Sequence, residues 1–168
     1  MNTLSRSRRQ HGFSLVEVLV AAIVFSLGLG GLSLMLLTAA HGSAEAQNQT
    51  TAAMQAASLA ELILLNPAAT GHYINPQEEM GAGCFAPEVC TGAAWAAGNL
   101  ARWQHELEQS LAGATGTVCL DSTPLDGRAA DPACDGDGGT VVKVFWLESA
   151  HLDDQDGGLR RTVLPVAE

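Results

Sequence analysis

The strongest pattern along the chain is a long apolar run near its beginning. The 23 residues from Val18 to Ala40 include no charged side chain, and a single carboxylate, Glu17, directly precedes them. A helix rises about 1.5 Å per residue, so the run is long enough to cross the roughly 30 Å hydrocarbon core of a bilayer. Because a helix satisfies every backbone group within itself, we predict one transmembrane helix here.

A helical periodicity continues beyond the apolar run. From His41 to Asn66 the chain is rich in Ala, Gln and Leu, with polar residues recurring on one side and small or aliphatic residues on another. The polar set is Asn48, Thr51, Gln55 and Ser58, and the apolar set is Ala53, Ala56, Ala60 and Ile63. We predict one helix from Phe13 to Asn66, because a following proline disfavours helical backbone for the residue before it. Residues 13–40 form its transmembrane half, and residues 41–66 form its amphipathic half.

Residues 67–168 predict a small domain of mixed structure. Glycine and proline punctuate residues 67–99, which indicates a loop, and the apolar spacing from Leu100 to Leu111 predicts a short helix. Runs rich in β-branched and apolar residues predict strands at Thr115–Asp121, Thr140–Glu148 and Leu159–Val166. The connections between them favour an antiparallel meander. The predicted fold class is α+β, a long N-terminal helix packed on a small antiparallel β-sheet.

The charged residues are distributed unevenly. Arg6, Arg8 and Arg9 all precede the apolar run. Arginines on one flank of a membrane helix favour a cytoplasmic position for that flank, so we expect the domain at residues 67–168 in the periplasm. Beyond residue 12, five basic residues remain against eighteen acidic ones, a formal charge of −13 within the −10 of the whole chain. Such a surface repels phosphate backbones, which argues against nucleic acid as a partner.

The cysteines all lie in the predicted domain, at Cys84, Cys90, Cys119 and Cys134. This distribution indicates an oxidising compartment, where disulfides would help to stabilise a domain of this size. Four cysteines allow three connectivities. Proximity favours Cys84 with Cys90 and Cys119 with Cys134, and a crossed pattern stays open. A zinc site is disfavoured, because the sequence has no CxxC motif and no histidine beside the cysteine pairs.

The junction between the polar leader and the apolar run has a specific sequence. Residues 12–21 read Gly-Phe-Ser-Leu-Val-Glu-Val-Leu-Val-Ala. This segment resembles the prepilin signature of type IV pilins and type II secretion pseudopilins. The resemblance implies that prepilin peptidase cleaves after Gly12, which removes residues 1–12 as a leader, and that the new N-terminus at Phe13 is methylated. The alternative is an incidental glycine before an ordinary signal anchor.

The resemblance also implies a role for Glu17. An unpaired carboxylate in hydrocarbon costs at least about 2.5 kcal/mol. After cleavage, Phe13 would offer an α-amine at the same helix end, and in a bundle of such helices the carboxylate of one subunit can neutralise the amine of its neighbour. The alternative is a Glu17 side chain that snorkels to the membrane interface. Later features of the chain are loosely similar to minor pilins of the PilV type: LAELILLNP, Tyr73, a cysteine-bearing loop, LARWQHEL and KVFWLES.

Metal binding and catalysis have weak support in the sequence. Asp131, Asp135 and Asp137 stand among glycines, and oxygen ligands on a flexible loop suit calcium. Their spacing departs from the EF-hand pattern and lacks the terminal Glu, so we treat them as weak calcium candidates and predict neither a bound metal nor a cofactor. The histidines are scattered, and no serine lies in a nucleophile context. We therefore predict a protein that is not an enzyme.

These observations together predict a structural subunit. The resemblance implies a minor pilin that primes or joins type IV pilus assembly after leader cleavage and N-methylation. Its partners would be other minor pilins, the major pilin, prepilin peptidase and an inner-membrane assembly platform. Before assembly it would be a single-pass inner-membrane protein with a cytoplasmic N-terminus, and afterwards it would lie in the pilus. The alternatives are a minor pseudopilin of a type II secretion system and a signal-anchored periplasmic binding protein.

Overall fold

Helix α1, Leu15–Leu64, is the first element of the computed structural model, which describes residues 12–74, 91–148 and 158–166. The long N-terminal helix predicted from the sequence is therefore confirmed, with each end two residues inside the predicted one. Asn66 has φ −140° and ψ 74°, which lies outside the helical region that a following proline disfavours. The chain divides within α1 into two compact units, Met1–Gly42 and Ser43–Glu168.

Helices also occupy part of the segment that was predicted as a loop. A 3-10 turn at Pro67–Ala69 leads directly into a short helix α2, Thr70–Ile74. Helix α3 then spans Gly92–Ser110, so the prediction of a loop over residues 67–99 is wrong at both of its ends. The predicted helix from Leu100 to Leu111 is confirmed to within one residue of its end, and it forms the second half of α3.

The early start of α3 has a local cause. The hydroxyl of Thr91 accepts a hydrogen bond from the backbone N–H of Ala94 at 3.1 Å, which satisfies one of the free donors of the first turn. Alanines fill most of the turns that follow, and alanine has the highest intrinsic helix propensity. The stabilising effect of this cap and this composition on the helix exceeds the destabilising effect of Gly92 and Gly98, which were interpreted as loop residues.

A three-stranded antiparallel sheet completes the second unit, in the order β1-β2-β3. The strands are β1, Thr115–Asp121, β2, Gly139–Leu147, and β3, Leu159–Pro165. Val142 in the central strand faces Val118 on one side and Leu164 on the other. The predicted meander and the α+β fold class are confirmed, and no strand end differs from its prediction by more than one residue.

The main core lies where the second part of α1 and α3 pack on one face of the sheet. It includes Leu59, Ile63, Trp103, Leu107, Val118, Val142, Val144 and Trp146. Trp103 lies across β1 at Gly116, where an added Cβ would collide with the indole ring, so the glycine allows the helix to approach the strand. The indole N–H donates to the backbone carbonyl of Gln55 at 2.8 Å, which joins α3 to α1 as well.

The predicted apolar face of α1 is largely confirmed, since Ala56, Ala60 and Ile63 are buried. Ala52 and Leu59 are buried, whereas Ala53, which was assigned to the apolar face, is exposed. Asn48 and Gln55, which were assigned to a polar face, are half-buried. Both half-buried polar residues have contacts outside the helix: the amide of Asn48 donates to Glu148, and the backbone carbonyl of Gln55 accepts from the indole of Trp103.

Candidate functional sites: an exposed apolar helix and a tied loop

The first unit exposes the apolar side chains of its helix. Phe13 is 83% exposed, Phe25 67% and Leu36 72%. Among the described helices, α1 is the one that is long and apolar enough to cross a membrane by length and composition. Apolar surface of this extent is found where lipid or another protein covers it. The described helix of the first unit is therefore a surface for contact with lipid or with another protein.

The few polar side chains of this helix are satisfied internally. The hydroxyls of Ser26, Ser33 and Thr38 each donate to the backbone carbonyl four residues earlier, at 2.6 to 2.9 Å. A hydroxyl bonded in this way adds no unpaired donor to the surface. These residues are therefore compatible with an apolar environment.

Glu17 differs from these hydroxyls. Its backbone N–H bonds to the carbonyl of Ser14 at 3.0 Å and begins the helix. Its side chain lies on the same side as Phe13, Val18 and Ala21, with which it lines a shallow hollow. Within the described part of the chain, the carboxylate has no hydrogen-bond or ion-pair partner. Gly12 and Phe13 precede the helix, and both are exposed.

A second candidate site is the connection between β1 and β2, residues 122–138, which we call the tied loop. Side chains alternate between the two faces of a strand. Val142 and Val144 face the main core, so Lys143 and Phe145 point to the opposite face, where both are nevertheless buried. The tied loop lies against Lys143 on this face and supplies two of its partners, Asp126 and the carbonyl of Pro132.

Lys143 is the centre of these contacts. Its ammonium group contacts the buried carboxylate of Asp121, lies 3.3 Å from an oxygen of Asp126, and donates to the carbonyl of Pro132 at 2.8 Å. The hydrogen bond from Lys143 holds the pKa of Asp121 below its ordinary value of 3.8, against the opposing effect of burial. The one local sign of this pair in the sequence is a lysine inside an otherwise apolar strand.

Other contacts fasten the tied loop at several points. A disulfide joins Cys119 on β1 to Cys134 in the loop, with 6.1 Å between the Cα atoms. This is the pair that sequence proximity favours, whereas Cys84 and Cys90 lie outside the described residues. The guanidinium of Arg161 on β3 donates to the carbonyl of Gly127 at 2.9 Å. The loop is therefore linked to all three strands, through Cys119, Lys143 and Arg161.

The weak calcium candidates lie in this loop. The carboxylates of Asp131 and Asp135 accept hydrogen bonds from other residues of the loop. Asp135 accepts from the backbone N–H of Ser122 at 3.1 Å and from that of Asp137 at 2.9 Å, and it also contacts the Ser122 hydroxyl. The hydroxyl bond is the main reason that the pKa of Asp135 lies below its ordinary value. Asp131 accepts from the backbone N–H of Ala133 at 3.2 Å.

These three aspartates are not brought together. Among the described residues, the group whose candidate ligand atoms all lie within 4.8 Å of one another is Cys119, Asp121 and Cys134. Both sulfurs of that group are in the disulfide, and its carboxylate contacts Lys143. The ammonium group therefore already provides the positive charge that a cation would bring.

A polar set of contacts joins α1 to the sheet. Asn48 donates to both carboxylate oxygens of the buried Glu148, at 3.2 and 3.1 Å, and the indole of Trp146 donates to the same carboxylate at 3.4 Å. Gln49 donates to the hydroxyl of Thr162 at 2.9 Å. Asn48 was predicted on a polar face, and its partner was not predicted because nothing local indicates a contact one hundred residues away.

The comparisons with known proteins concern the beginning of the chain. Residues 7–33 match the family described as the prokaryotic N-terminal methylation motif. No curated protein and no solved structure matches the chain. The motif identifies a type IV pilin-like prepilin leader, of the kind found in pilins and pseudopilins, and together with the long apolar helix it indicates a membrane-anchored protein. The subfamily similarity to PilV-type minor pilins has no support from these comparisons.

Proposed function

We propose that this chain is a minor pilin, a structural subunit that primes or joins the assembly of a type IV pilus. The observation that carries the proposal is the methylation motif at residues 7–33, followed directly by a helix whose apolar side chains are exposed. Lipid would cover this helix in the precursor, and neighbouring subunits would cover it in the filament. Major pilin, other minor pilins and the assembly platform are the partners that this role requires.

Maturation would begin with cleavage after Gly12. Gly12 and Phe13 lie outside α1 and are exposed, which supports this step because a protease binds substrate backbone that is not already bonded within a helix. Methylation would then follow at the new amine of Phe13. In a bundle of such helices, the carboxylate of Glu17 would pair with the amine of a neighbouring subunit and set the axial register.

The second unit would lie in the periplasm and then on the filament. The disulfide between Cys119 and Cys134 supports an oxidising compartment for this unit. The arginines at Arg6, Arg8 and Arg9 support a cytoplasmic N-terminus. We propose a structural role without catalysis. The buried groups Lys143 and Asp121 contact each other, and the buried Glu148 accepts hydrogen bonds from Asn48 and Trp146.

Two alternatives share part of this support. A minor pseudopilin of a type II secretion system would have the same leader, the same apolar helix and the same processing. A signal-anchored periplasmic binding protein would need the anchor alone, and it would keep residues 1–12. Leader cleavage therefore distinguishes the binding protein from the minor pilin and the minor pseudopilin. The location of the mature protein then distinguishes the pilin from the pseudopilin.

The decisive experiment measures the intact mass of the full-length protein extracted from membranes. In cells with active prepilin peptidase, we expect the mass of residues 13–168 plus one methyl group. Cells with an inactive peptidase provide the control and should yield the uncleaved, unmethylated chain. A protein that keeps residues 1–12 in the active strain would contradict both pilin-type functions. Recovery of the mature protein in sheared pili would then favour the pilus over secretion.

A further inference from the structure

A lysine and an aspartate of neighbouring strands meet inside the second unit, away from water. The side chains of Lys143 on β2 and Asp121 on β1 are both 0% exposed, and the ammonium nitrogen of the lysine contacts Oδ2 of the carboxylate. Two charges that leave water lose their solvation, and this penalty can exceed the attraction between them. Condensation of the two groups to a neutral amide would remove both buried charges.

A second carboxylate lies beside the same nitrogen. An oxygen of Asp126 in the tied loop is 3.3 Å from the ammonium of Lys143, whereas the side chain of Asp126 is 52% exposed. This carboxylate is therefore placed to accept a proton from the buried nitrogen, and it also reaches the solvent. Proton transfer by a positioned side chain typically accelerates a reaction by about 10²–10⁴-fold.

Backbone groups hold the carboxylate and the nitrogen in place. Oδ1 of Asp121 accepts a hydrogen bond from the backbone N–H of Thr123 at 2.8 Å, and this donor would stabilise negative charge on Oδ1 during attack at the carboxyl carbon. The carbonyl of Pro132 accepts from the nitrogen of Lys143 at 2.8 Å, a bond that the single N–H of an amide would keep. Reacting groups fixed in this way reach effective molarities of up to about 10⁸ M.

We propose that Lys143 and Asp121 form an intramolecular amide bond that joins β2 to β1. Asp126 takes a proton from the ammonium, and the neutral amine of Lys143 then attacks Cγ of Asp121. A bond forms between Nζ and Cγ, and the bond between Cγ and Oδ2 breaks. Oδ2 leaves as water with two protons of the former ammonium, one of them returned by Asp126. Ammonium and carboxylate are converted to amide and water without an oxidant or a further reactant, and the ion pair is the form that precedes this step.

The amide bond would add a second covalent link to this face of the sheet. The disulfide joins β1 to the tied loop, whereas the amide joins β1 to β2. Thiols open a disulfide by exchange, but they do not cleave an amide, so the new link would persist in reductant. The proposal does not depend on the pilin function, because it rests on the contacts of Lys143 and Asp121.

The test is a tryptic map of the full-length protein after it has been unfolded and its disulfides reduced. Trypsin cleaves after free lysine and arginine, so an unlinked chain yields residues 129–143 and residues 144–160 as separate peptides. A linked Lys143 resists cleavage. We expect one branched peptide in which these two segments, uncleaved, are joined to residues 103–128, with a mass lower than the sum by one water. Tandem mass spectrometry of this peptide should place the bond at Asp121.

Three variants separate the amide bond from the ion pair. Lys143→Arg keeps a positive charge beside Asp121, but a guanidinium stays protonated and cannot attack, so no branched peptide should form. Asp126→Asn removes the proton acceptor and should lower the yield of branched peptide at least about tenfold. The matched control is Asp137→Asn, because Asp137 is an exposed aspartate of the same loop outside the contacts of Lys143. This control should be linked like the wild type.

Thermal midpoints of each variant distinguish loss of the bond from loss of the fold. Complete cleavage after Lys143 in a folded wild-type protein, with no branched peptide, would overturn the proposal and leave the ion pair as the final state. A bond mapped to Asp126 would overturn the assignment to Asp121. Equal yields from Asp126→Asn and the wild type would overturn the role of Asp126 in proton transfer.

Discussion

The two units of the chain differ in where their side chains find contacts. In the second unit, the large apolar side chains of the core are buried against one another, and even the charged Lys143 has its partners within the same unit. In the first unit, apolar side chains from Phe13 to Leu37 are exposed, and Glu17 has no partner among the described residues. Among the described residues, the second unit therefore supplies the contacts of its own core, whereas the apolar helix of the first needs lipid or other proteins.

The second unit also contains a contrast between the two faces of its sheet. One face is covered by apolar side chains of α1 and α3. On the other face lies the tied loop, which is fastened by the ion pair between Lys143 and Asp126 and by a disulfide. A small domain has few apolar residues to cover both faces of a sheet, so specific bonds replace part of the apolar burial on the second face. Variants that remove these bonds measure how much the bonds contribute to the stability of the second unit.

The largest loss of stability should come from Lys143→Met. The substitution leaves the carboxylate of Asp121 buried without its cation, which typically costs about 3–5 kcal/mol of unfolding free energy. Thermal unfolding of the full-length protein, followed by circular dichroism in detergent, measures the effect. The control Arg102→Gln removes an exposed pair and should change the midpoint little. If Lys143→Met were equally mild, the contacts of the Lys143 ammonium with Asp121 and the tied loop would not be what stabilises this face of the sheet.

Removal of the disulfide should have the next largest effect. The bond closes a loop with a sequence separation of 15 residues, for which chain entropy predicts about 3 kcal/mol. The double variant Cys119→Ser, Cys134→Ser should unfold at a lower temperature and exchange its loop amides faster. A variant with an unchanged midpoint would indicate that the ion pair at Lys143 fastens the loop without help.

The apolar face is tested by Gly116→Ala. The new methyl group would collide with the ring of Trp103, and overpacking of this kind costs about 1–3 kcal/mol. Gly139→Ala is the matched control, since an added Cβ at that strand position has no neighbour within 4 Å. The prediction is contradicted if the two variants unfold at the same temperature.

The accuracy of the sequence predictions differs from one element to another, and the physical cause of each element explains the difference. The strands were predicted to within one residue, because alternation and turn residues are local signals. The start of α3 was missed, since Thr91 as a helix cap outweighs nearby glycines. The partner of Lys143 was also missed: a lysine within an apolar strand signals a buried carboxylate, but the sequence does not select Asp121 among eighteen acidic residues.

Acid should weaken the tied loop before it affects the apolar face. The pKa values of Asp121 and Asp135 are lowered in the folded protein, so their stabilising effect is fully present above about pH 3.8 and is lost as the pH falls through the lower folded values. Thermal midpoints measured from pH 7 down to pH 2 should fall in that acid range. Asp135→Asn cannot titrate at this position and should show a smaller decrease than the wild type.

The smallest effect on folding should come from Glu17→Ala. This variant tests assembly through the first unit without a change in the stability of the second. Glu17 has no described partner, so the midpoint of the second unit should not change. Assembly should weaken, because the subunit loses the carboxylate proposed to neutralise a neighbour's amine. Incorporation into sheared filaments, compared by immunoblot, measures this. Glu61→Ala is the matched control, since Glu61 is exposed on the same helix within the second unit. Equal incorporation of both variants would rule out the pairing and leave the apolar surface as the contact that joins the subunits.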